Sequence, residues 1–433
     1  MRHPSVRLAM VAIVAAAAWC DAFVLARKPP VHGFFDLRIY RGAVLWWLHG
    51  GSLYSFHIGH TDYGFTYPPF AALSMTPLTW FPTPTAVILN AIASVVVIIL
   101  ITRWLVVPVA RRHGWTPWFA VAVALPVVLA VDPVRETLGY GQLNMFIFGL
   151  VLADVVALRR GRGWAGVGIG LATAVKLTPG LFILFLLLTG RRRPAGVATG
   201  TFLGASLVGV VVNASGSWEY WTSAVWDTSR VGRLDKPSNQ SMLGLLAHLA
   251  DPQQPDRRVW AVLAVAVLAV GMWRAVRAYR HSDDVVAFTL VGVTACLLSP
   301  ISWTHHLYWI IPAAVILIDV AAGTPVHGWA PGWLRRRPRL VAAGAGAFVV
   351  AVAVPFFLGV PWYFLPRTEI LPRGVPTDIL GRSAYTVVLL ALLLLLPARR
   401  SVGVREGDEP RALAEPDQPG GTRRSANDRA TST

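Results

Sequence analysis

The stretch VILNAIASVVVIILI, residues 87–101, contains no charged residue. A helix needs about 20 mostly apolar residues to cross the hydrocarbon core of a membrane, and a run of this kind belongs there. A similar run, VAAGAGAFVVAVAV, occupies residues 341–354. Because a chain inside lipid must satisfy its own backbone hydrogen bonds, both runs predict membrane-spanning helices.

The composition extends this prediction to the whole chain. Of the 433 residues, 55% are hydrophobic and 14% are charged, whereas soluble domains carry about 25% charged residues. The formal charge of +17 would indicate a nucleic-acid partner in a soluble protein, but here the arginines lie in short clusters between apolar runs. We therefore expect an all-α, polytopic membrane protein, monomeric, with membrane lipids and no nucleic acid as partners. Cys20 and Cys296 lie in apolar runs far apart and predict neither a disulfide nor a metal site.

The arginine clusters predict the orientation of the chain. They occur at residues 1–7, 110–114, 158–163, 190–194, 273–281, 333–339 and 398–400. Cytoplasmic loops are enriched in Lys and Arg, so all clusters should lie inside, with an even number of crossings between neighbours. About 12 apolar segments satisfy this rule with both termini inside. They are residues 8–26, 85–105, 116–131, 141–158, 164–176, 178–190, 195–214, 258–275, 284–299, 307–322, 340–358 and 382–397.

These segments define one membrane-embedded domain over residues 1–400. We expect its first helix to be retained, because the bulky Trp19 argues against cleavage at Cys20. Residues 68–82 are short and rich in proline, which predicts a re-entrant or interfacial segment. The tail, residues 401–433, is polar and lacks aromatics, so it should be a disordered cytoplasmic extension.

The predicted orientation places most unusual polar residues outside the cytoplasm. Asp36 begins the motif DLRIY and follows Phe34 and Phe35. A carboxylate whose pKa is raised by apolar neighbours suits a general base, although a solvated carboxylate or a helix cap would look the same. In a helix, Tyr40 lies on the same face as Asp36.

A second aromatic motif, TDYGFTYPPF, contains Asp62 and Tyr67. The residue before a proline is driven away from helix, so Tyr67 should belong to a rigid wall suited to sugar rings or lipid chains. Asp62 is the rival candidate for the base, in a loop that should be wetter than the surroundings of Asp36.

Phosphate-binding candidates come from two further motifs. Lys176 in ATAVKLTPGLF lies between apolar runs, and a charge at this depth usually faces a functional cavity. It could bind a phosphate as a point charge or extend to lipid headgroups. In VRETLGYGQLNMF, Arg135 could bind a phosphate or pair with Glu136, and Gln142 and Asn144 suit sugar hydroxyls.

The motif SPISWTHHLYW contributes His305 and His306. Adjacent histidines point in different directions, which argues against a shared metal. One of them could bond a phosphate or tune Asp36, with interfacial packing as the alternative. Trp218 and Trp221, in a long outer loop, could stack on an acceptor sugar or anchor the membrane interface.

In this order DLRIY, FTYPPFAAL, GYGQLN, AVKLTPGLF, NQS and SPISWTHHLYW resemble the polyprenol-phosphate-mannose-dependent mannosyltransferases of actinobacteria. These are members of glycosyltransferase family 87, with the membrane-embedded GT-C fold, and the resemblance spans residues 30–322. It implies transfer of mannose from a polyprenyl phosphate mannose donor to a lipid-linked mannoside, with inversion, forming an α-(1→2) link. It also implies that Asp36 is the base and that Lys176 or a histidine stabilises the leaving phosphate. Asn239 and Gln240 of NQS would contact substrate, and neither a cofactor nor a metal is implied.

Two other functions are compatible with the sequence. An arabinofuranosyltransferase using polyprenyl phosphoarabinose would share the fold class. A transporter or lipid flippase would need polar groups near the midplane with access from both faces. The acids embedded in the predicted spans are Asp21, Asp154 and Asp319, and Asp154 lies near the inner end of its span.

The orientation can be tested by labelling single cysteines with a membrane-impermeant reagent, after replacing Cys20 and Cys296. We expect cysteines to react in intact cells at positions 36, 176 and 306 and to be protected at positions 112, 192 and 336, because the arginine clusters should be inside. Labelling at position 192 without labelling at position 36 would reverse the orientation.

Overall fold

A computed structural model of the chain describes residues 12, 14, 32–59, 61, 63–327, 336–364 and 376–400. Nearly all of the predicted first helix, the rival carboxylate Asp62 and the predicted disordered tail lie outside these residues, so they stay predictions.

The described residues form seventeen α-helices and no β-strand, as the all-α prediction requires. In the first half these are α1 (Phe35–Leu48), α2 (Pro69–Met75), α3 (Thr83–Arg112), α4 (Pro117–Ala130), α5 (Asp132–Tyr140), α6 (Asn144–Arg159), α7 (Val167–Val175), α8 (Leu181–Leu188) and α9 (Arg192–Val212). In the second half they are α10 (Ala214–Glu219), α11 (Met242–Ala250), α12 (Arg257–Arg280), α13 (Asp284–Leu298), α14 (Ile310–Ala321), α15 (Pro338–Leu358), α16 (Pro376–Arg382) and α17 (Ala384–Leu395).

Fewer helices than predicted are long enough to cross a membrane. Among the described residues, α3, α9, α12 and α15 have the length and composition of spans, and the bent pairs α4–α5 and α16–α17 would raise the number from 4 to 6. Elsewhere the predicted spans are interrupted: one apolar stretch becomes α7, a 3₁₀ turn at Thr178–Gly180 and α8. The described residues therefore belong to a helical membrane protein, but helix length alone does not confirm about 12 crossings.

Local sequence signals determine where several helices begin. Ser241 caps α11 by accepting a hydrogen bond from the Gly244 backbone N–H at 2.9 Å. Asp256 caps α12 in the same way, since the first backbone N–H groups of a helix lack intrahelical partners. Residues 68–82 form α2 and a 3₁₀ helix at Thr76–Trp80, both too short to cross a membrane.

Small residues allow the helices to approach closely. A Cβ added to Gly271 of α12 would lie 2.1 Å from Oγ1 of Thr294 in α13, and one added to Gly170 of α7 would lie 2.5 Å from the Ala198 carbonyl oxygen in α9. Lipid provides little hydrophobic force between helices, so such close contacts carry much of the packing energy.

A buried ion-pair network joins two of the arginine clusters, those at residues 110–114 and 398–400. Asp319 in α14 is completely buried and accepts hydrogen bonds from His113 at 2.8 Å, from Arg399 at 3.0 Å and from Arg112. Arg399 also pairs with Asp283 at 2.8 Å. Because each charge has a partner, the embedded acid Asp319 has a structural role here.

Gly271→Ala should lower the thermal unfolding midpoint in detergent. The added methyl group overlaps Thr294, and overpacking typically costs about 1–3 kcal/mol. The control is Gly200→Ala in α9, where a Cβ meets nothing within 4 Å; alanine is the better helix former, so its midpoint should stay equal or rise. Equal midpoints for the two variants would contradict the close α12–α13 packing.

Candidate active site

Seven residues predicted from five separate motifs line one cavity of about 520 Å³. This size is typical of small-molecule sites. They are Asp36, Tyr40, Tyr67, Gln142, Lys176, His305 and His306. Tyr40 lies inside α1, and the other six residues lie where helices begin, end or break.

The loop after α5 brings Gln142 to Asp36. Gly141 ends α5 with φ of 70°, a conformation that favours glycine. A Cβ at this position would lie 2.6 Å from Cβ of Leu37. Glycine therefore supplies both the turn and the close approach of the loop to α1.

Lys176 and the two histidines also occupy breaks between helices. Lys176 follows α7 in an extended conformation. His305 and His306 belong to a 3₁₀ turn, Thr304–His306, between α13 and α14. Irregular backbone at membrane depth is tolerated where it is buried in protein or lines a cavity, and here it lines the cavity.

The Gln142 side chain holds Asp36. Its Nε2 donates to Oδ2 of Asp36 at 2.5 Å and lies 3.2 Å from Nε2 of His305. Its Oε1 accepts a hydrogen bond from the Tyr40 hydroxyl at 2.8 Å, and the Tyr67 hydroxyl is 3.4 Å away. The amide predicted to bind sugar hydroxyls therefore orients the carboxylate.

Burial raises the pKa of Asp36 to about 7, against the lowering effects of the Gln142 hydrogen bond and the positive charge of Lys176. A carboxyl group with a pKa near neutrality can take up a proton efficiently at neutral pH. Burial and the same Lys176 charge lower the pKa of His305 and His306 well below the usual range, so both rings are neutral at neutral pH.

Lys176 is positioned by three neighbours. Its Nζ lies 2.9 Å from Nε2 of His306 and donates to Oδ1 of Asn144 at 3.4 Å. It also lies 5.6 Å from the ring centroid of Tyr67, within range of a cation–π interaction. The ammonium group is thus fixed in the wall that also contains Asp36.

Three other predicted residues lie behind the cavity wall. Arg135 contacts Asp132 at 3.7 Å and donates to the Phe357 carbonyl at 3.1 Å. Asn144 donates to the His305 carbonyl at 2.9 Å, which makes it a support for the histidine turn. Gln240 donates to the Arg382 carbonyl at 2.6 Å.

The remaining predicted site residues, Asn239, Trp218 and Trp221, also lie outside the cavity wall. The amide of Asn239 accepts from the Ser302 backbone N–H at 3.0 Å and so holds the segment before the histidines. Trp218 is 74% exposed and Trp221 is 37% exposed. Tyr220, which lies between them in sequence, is in the cavity wall. The two tryptophans therefore fit the interface-anchoring alternative better than sugar stacking.

Sequence reasoning missed several wall residues, above all Lys236. Its Nζ hydrogen-bonds the Tyr63 hydroxyl and lies 4.8 Å from the ring centroid. Arg230, also in the wall, donates to the Tyr54 carbonyl. Both cations come from a polar loop, where no apolar flank distinguishes them from solvated side chains. The one available signal was that Lys236 lies three residues before Asn239, the first residue of the NQS motif.

Within the described ranges, no group of three or more His, Cys, Asp or Glu side chains is placed to hold a metal ion. His305 and His306 lie edge to face, with ring centroids 4.6 Å apart.

The described helices and the cavity indicate a helical membrane protein with a buried carboxylate in a cavity walled by aromatic residues. The sequence profile of glycosyltransferase family 87 matches residues 65–300, more than half of the chain. The chain belongs to glycosyltransferase family 87, which confirms the resemblance found in its motifs.

Three relatives carry functional names. The chain is 30% identical over 423 residues to the polyprenol-phosphate-mannose-dependent α-(1-2)-phosphatidylinositol mannoside mannosyltransferase of Mycolicibacterium smegmatis, covering 92% of this chain and 91% of that protein. It is 31% identical over 372 residues to the enzyme of the same name in Mycobacterium tuberculosis H37Rv, covering 82% and 79%. A phosphatidylinositol pentamannoside mannosyltransferase of Mycobacterium tuberculosis CDC 1551 is 31% identical over 356 residues, covering 76% of each chain. No solved structure shows significant similarity.

Proposed function

We propose that this protein transfers mannose from polyprenyl phosphate mannose to a hydroxyl of a lipid-linked mannoside of the cell envelope, forming an α-(1→2) link with inversion. The observation that carries the proposal is that Asp36, held by Gln142, and Lys176 line the same cavity. A carboxylate and a fixed cation are the groups that such a transfer needs.

In the proposed reaction the acceptor hydroxyl oxygen attacks the anomeric carbon of the donor. The new carbon–oxygen bond forms as the bond to the phosphate oxygen breaks, and polyprenyl phosphate leaves with the electron pair. Asp36 takes up the hydroxyl proton, and Lys176, beside neutral His306, stabilises the negative charge on the departing phosphate.

We place the active site on the extracytoplasmic side of the plasma membrane, in a chain that crosses it about 12 times. The arginine clusters support this orientation. The short helices α7, α8, α13 and α14 support a bundle in which broken segments are buried within protein, since exposed breaks are not tolerated in lipid.

The embedded acids favour an enzyme over a transporter. Asp154 accepts a hydrogen bond from the Ile169 backbone N–H at 2.7 Å, and Asp319 belongs to the buried ion-pair network. These contacts hold the two embedded acids that the structure describes, Asp21 lying outside the described residues, whereas a transporter needs polar groups near the midplane that can engage cargo.

Asp36→Asn should reduce mannosyl transfer by about 10²- to 10⁴-fold, because it keeps the size of the side chain and removes the proton acceptor. The measurement is radiolabel transfer in membranes, with polyprenyl phosphomannose and polyprenyl phosphoarabinose offered in parallel. Donor binding and insensitivity to chelators should be unchanged.

Asp62→Asn is the matched control for this substitution. Loss of transfer in Asp62→Asn with near-normal transfer in Asp36→Asn would exchange their roles. Transfer of arabinose in preference to mannose would replace the proposed donor.

The pH dependence tests the Gln142 contact. Wild-type kcat/KM should rise with pH through about 7, since the carboxyl of Asp36 is protonated and inactive as a base below this pKa. Gln142→Leu removes a hydrogen bond that lowers this pKa, so the rise should move to higher pH. Tyr40→Phe removes the contacts of the hydroxyl with the Gln142 oxygen and with Tyr67 but leaves the Gln142 nitrogen on Asp36, so it should move the rise less. A uniform loss of activity at every pH in Gln142→Leu would indicate a purely structural role.

A further inference from the structure

The cavity wall contains two lysines, each resting on a tyrosine of one short segment. Nζ of Lys176 lies 5.6 Å from the ring centroid of Tyr67, and Nζ of Lys236 lies 4.8 Å from that of Tyr63. The two tyrosines are four residues apart in the segment that precedes α2. The cavity therefore offers two separate positive charges.

The two lysine–tyrosine pairs contact the surroundings of Asp36 through different residues. Tyr67 contacts the Tyr40 hydroxyl at 3.0 Å and so joins the hydrogen bonds around Gln142. Tyr63 meets the ring of Phe35 edge-on, with centroids 5.6 Å apart. Lys176 lies on Tyr67, whose hydroxyl is 3.4 Å from the Gln142 amide that holds Asp36, and its positive charge lowers the pKa of Asp36. Lys176 is thus the cation linked to the proposed base.

Lys236 is half-buried, and no described carboxylate forms an ion pair with it. The adjacent acid, Asp235, pairs instead with Arg233, at 2.5 Å. The guanidinium of Arg230 lies in the same wall and adds a second positive charge. The wall also contains the carboxylate of Asp227, whose Oδ1 accepts a hydrogen bond from the Ser229 backbone N–H at 3.0 Å. Together with Lys236 and Arg230, the wall here still has a net positive charge for an anion to meet.

The proposed reaction brings two anionic lipids to one cavity. The donor phosphate is bonded to the reacting carbon, so it must lie beside the cation linked to Asp36. The named acceptors of the relatives are phosphatidylinositol mannosides, whose phosphodiester is separated from any mannose hydroxyl by the inositol ring. The acceptor phosphate therefore cannot occupy the same position as the donor phosphate.

We propose that Lys236, supported by Arg230, binds the phosphodiester of an anionic acceptor lipid, while Lys176 binds the donor phosphate. This assignment rests on the proposed mannosyltransferase function. Lys236 would then determine acceptor specificity, because its charge favours binding of an acceptor that carries a phosphate over one that does not.

The test compares a phosphatidylinositol mannoside with an uncharged alkyl mannoside as acceptors in the full-length protein. Lys236→Met should raise the KM for the anionic acceptor about tenfold, the loss expected for one charge-assisted contact. It should leave the KM for the alkyl mannoside and for the donor unchanged. Lys236→Arg keeps the charge and should behave almost as the wild type.

Arg258→Met is the matched control, because it removes an exposed cation at the start of α12, outside the cavity wall, and leaves the Arg233–Asp235 ion pair intact. It should change none of these constants. An equal rise for both acceptors, a rise for the donor, or no rise in Lys236→Met would overturn the assignment. Absence of mannosyl transfer by the wild type to either acceptor would overturn the proposed function as well, so the two failures are distinguishable.

Discussion

The site depends on one side-chain amide, that of Gln142. Its nitrogen contacts Asp36 and His305, and its oxygen accepts from Tyr40. These contacts join α1, the loop after α5 and the turn between α13 and α14. Because the amide is buried, any partner that moved away would leave a polar group unsatisfied, at about 1–3 kcal/mol. The same contacts therefore fix the position of the base and the packing of three elements.

The membrane explains why Gln142, Lys176 and the two histidines lie at breaks between helices. A continuous helix uses every backbone group internally and presents side chains in all directions, mostly to lipid or to other helices. Where Gly141, Pro179 or Pro300 interrupts the regular backbone, polar groups must be buried within protein or face a cavity. The breaks thus create the polar cavity and at the same time direct Gln142 and Lys176 into it.

The same physics decides what the sequence could predict. Apolar runs identify helices because hydrophobicity accumulates over many residues, and the motifs around Asp36 and Lys176 stand out because charge is rare beside such runs. Local pattern does not give side-chain direction: Arg135 and Asn239 lie in the expected motifs, yet both are engaged behind the wall. Lys236 shows the converse, since its polar loop gave no signal and its position depends on Tyr63, 173 residues away in sequence.

The arrangement of charges also links donor binding to the strength of the base. In the free protein, the positive charge of Lys176 lowers the pKa of Asp36 and partly offsets the effect of burial. In the proposed donor complex, the negative charge of the phosphodiester offsets the charge of Lys176, which favours the protonated carboxyl. The pKa of Asp36 is then higher than in the empty cavity, so its carboxylate is a stronger base, while a larger share of Asp36 is already protonated at a given pH. When polyprenyl phosphate leaves, the charge of Lys176 is restored, and Asp36 releases its proton more readily. In the proposed mechanism, binding of the donor and proton uptake by the base are thus coupled through a single lysine.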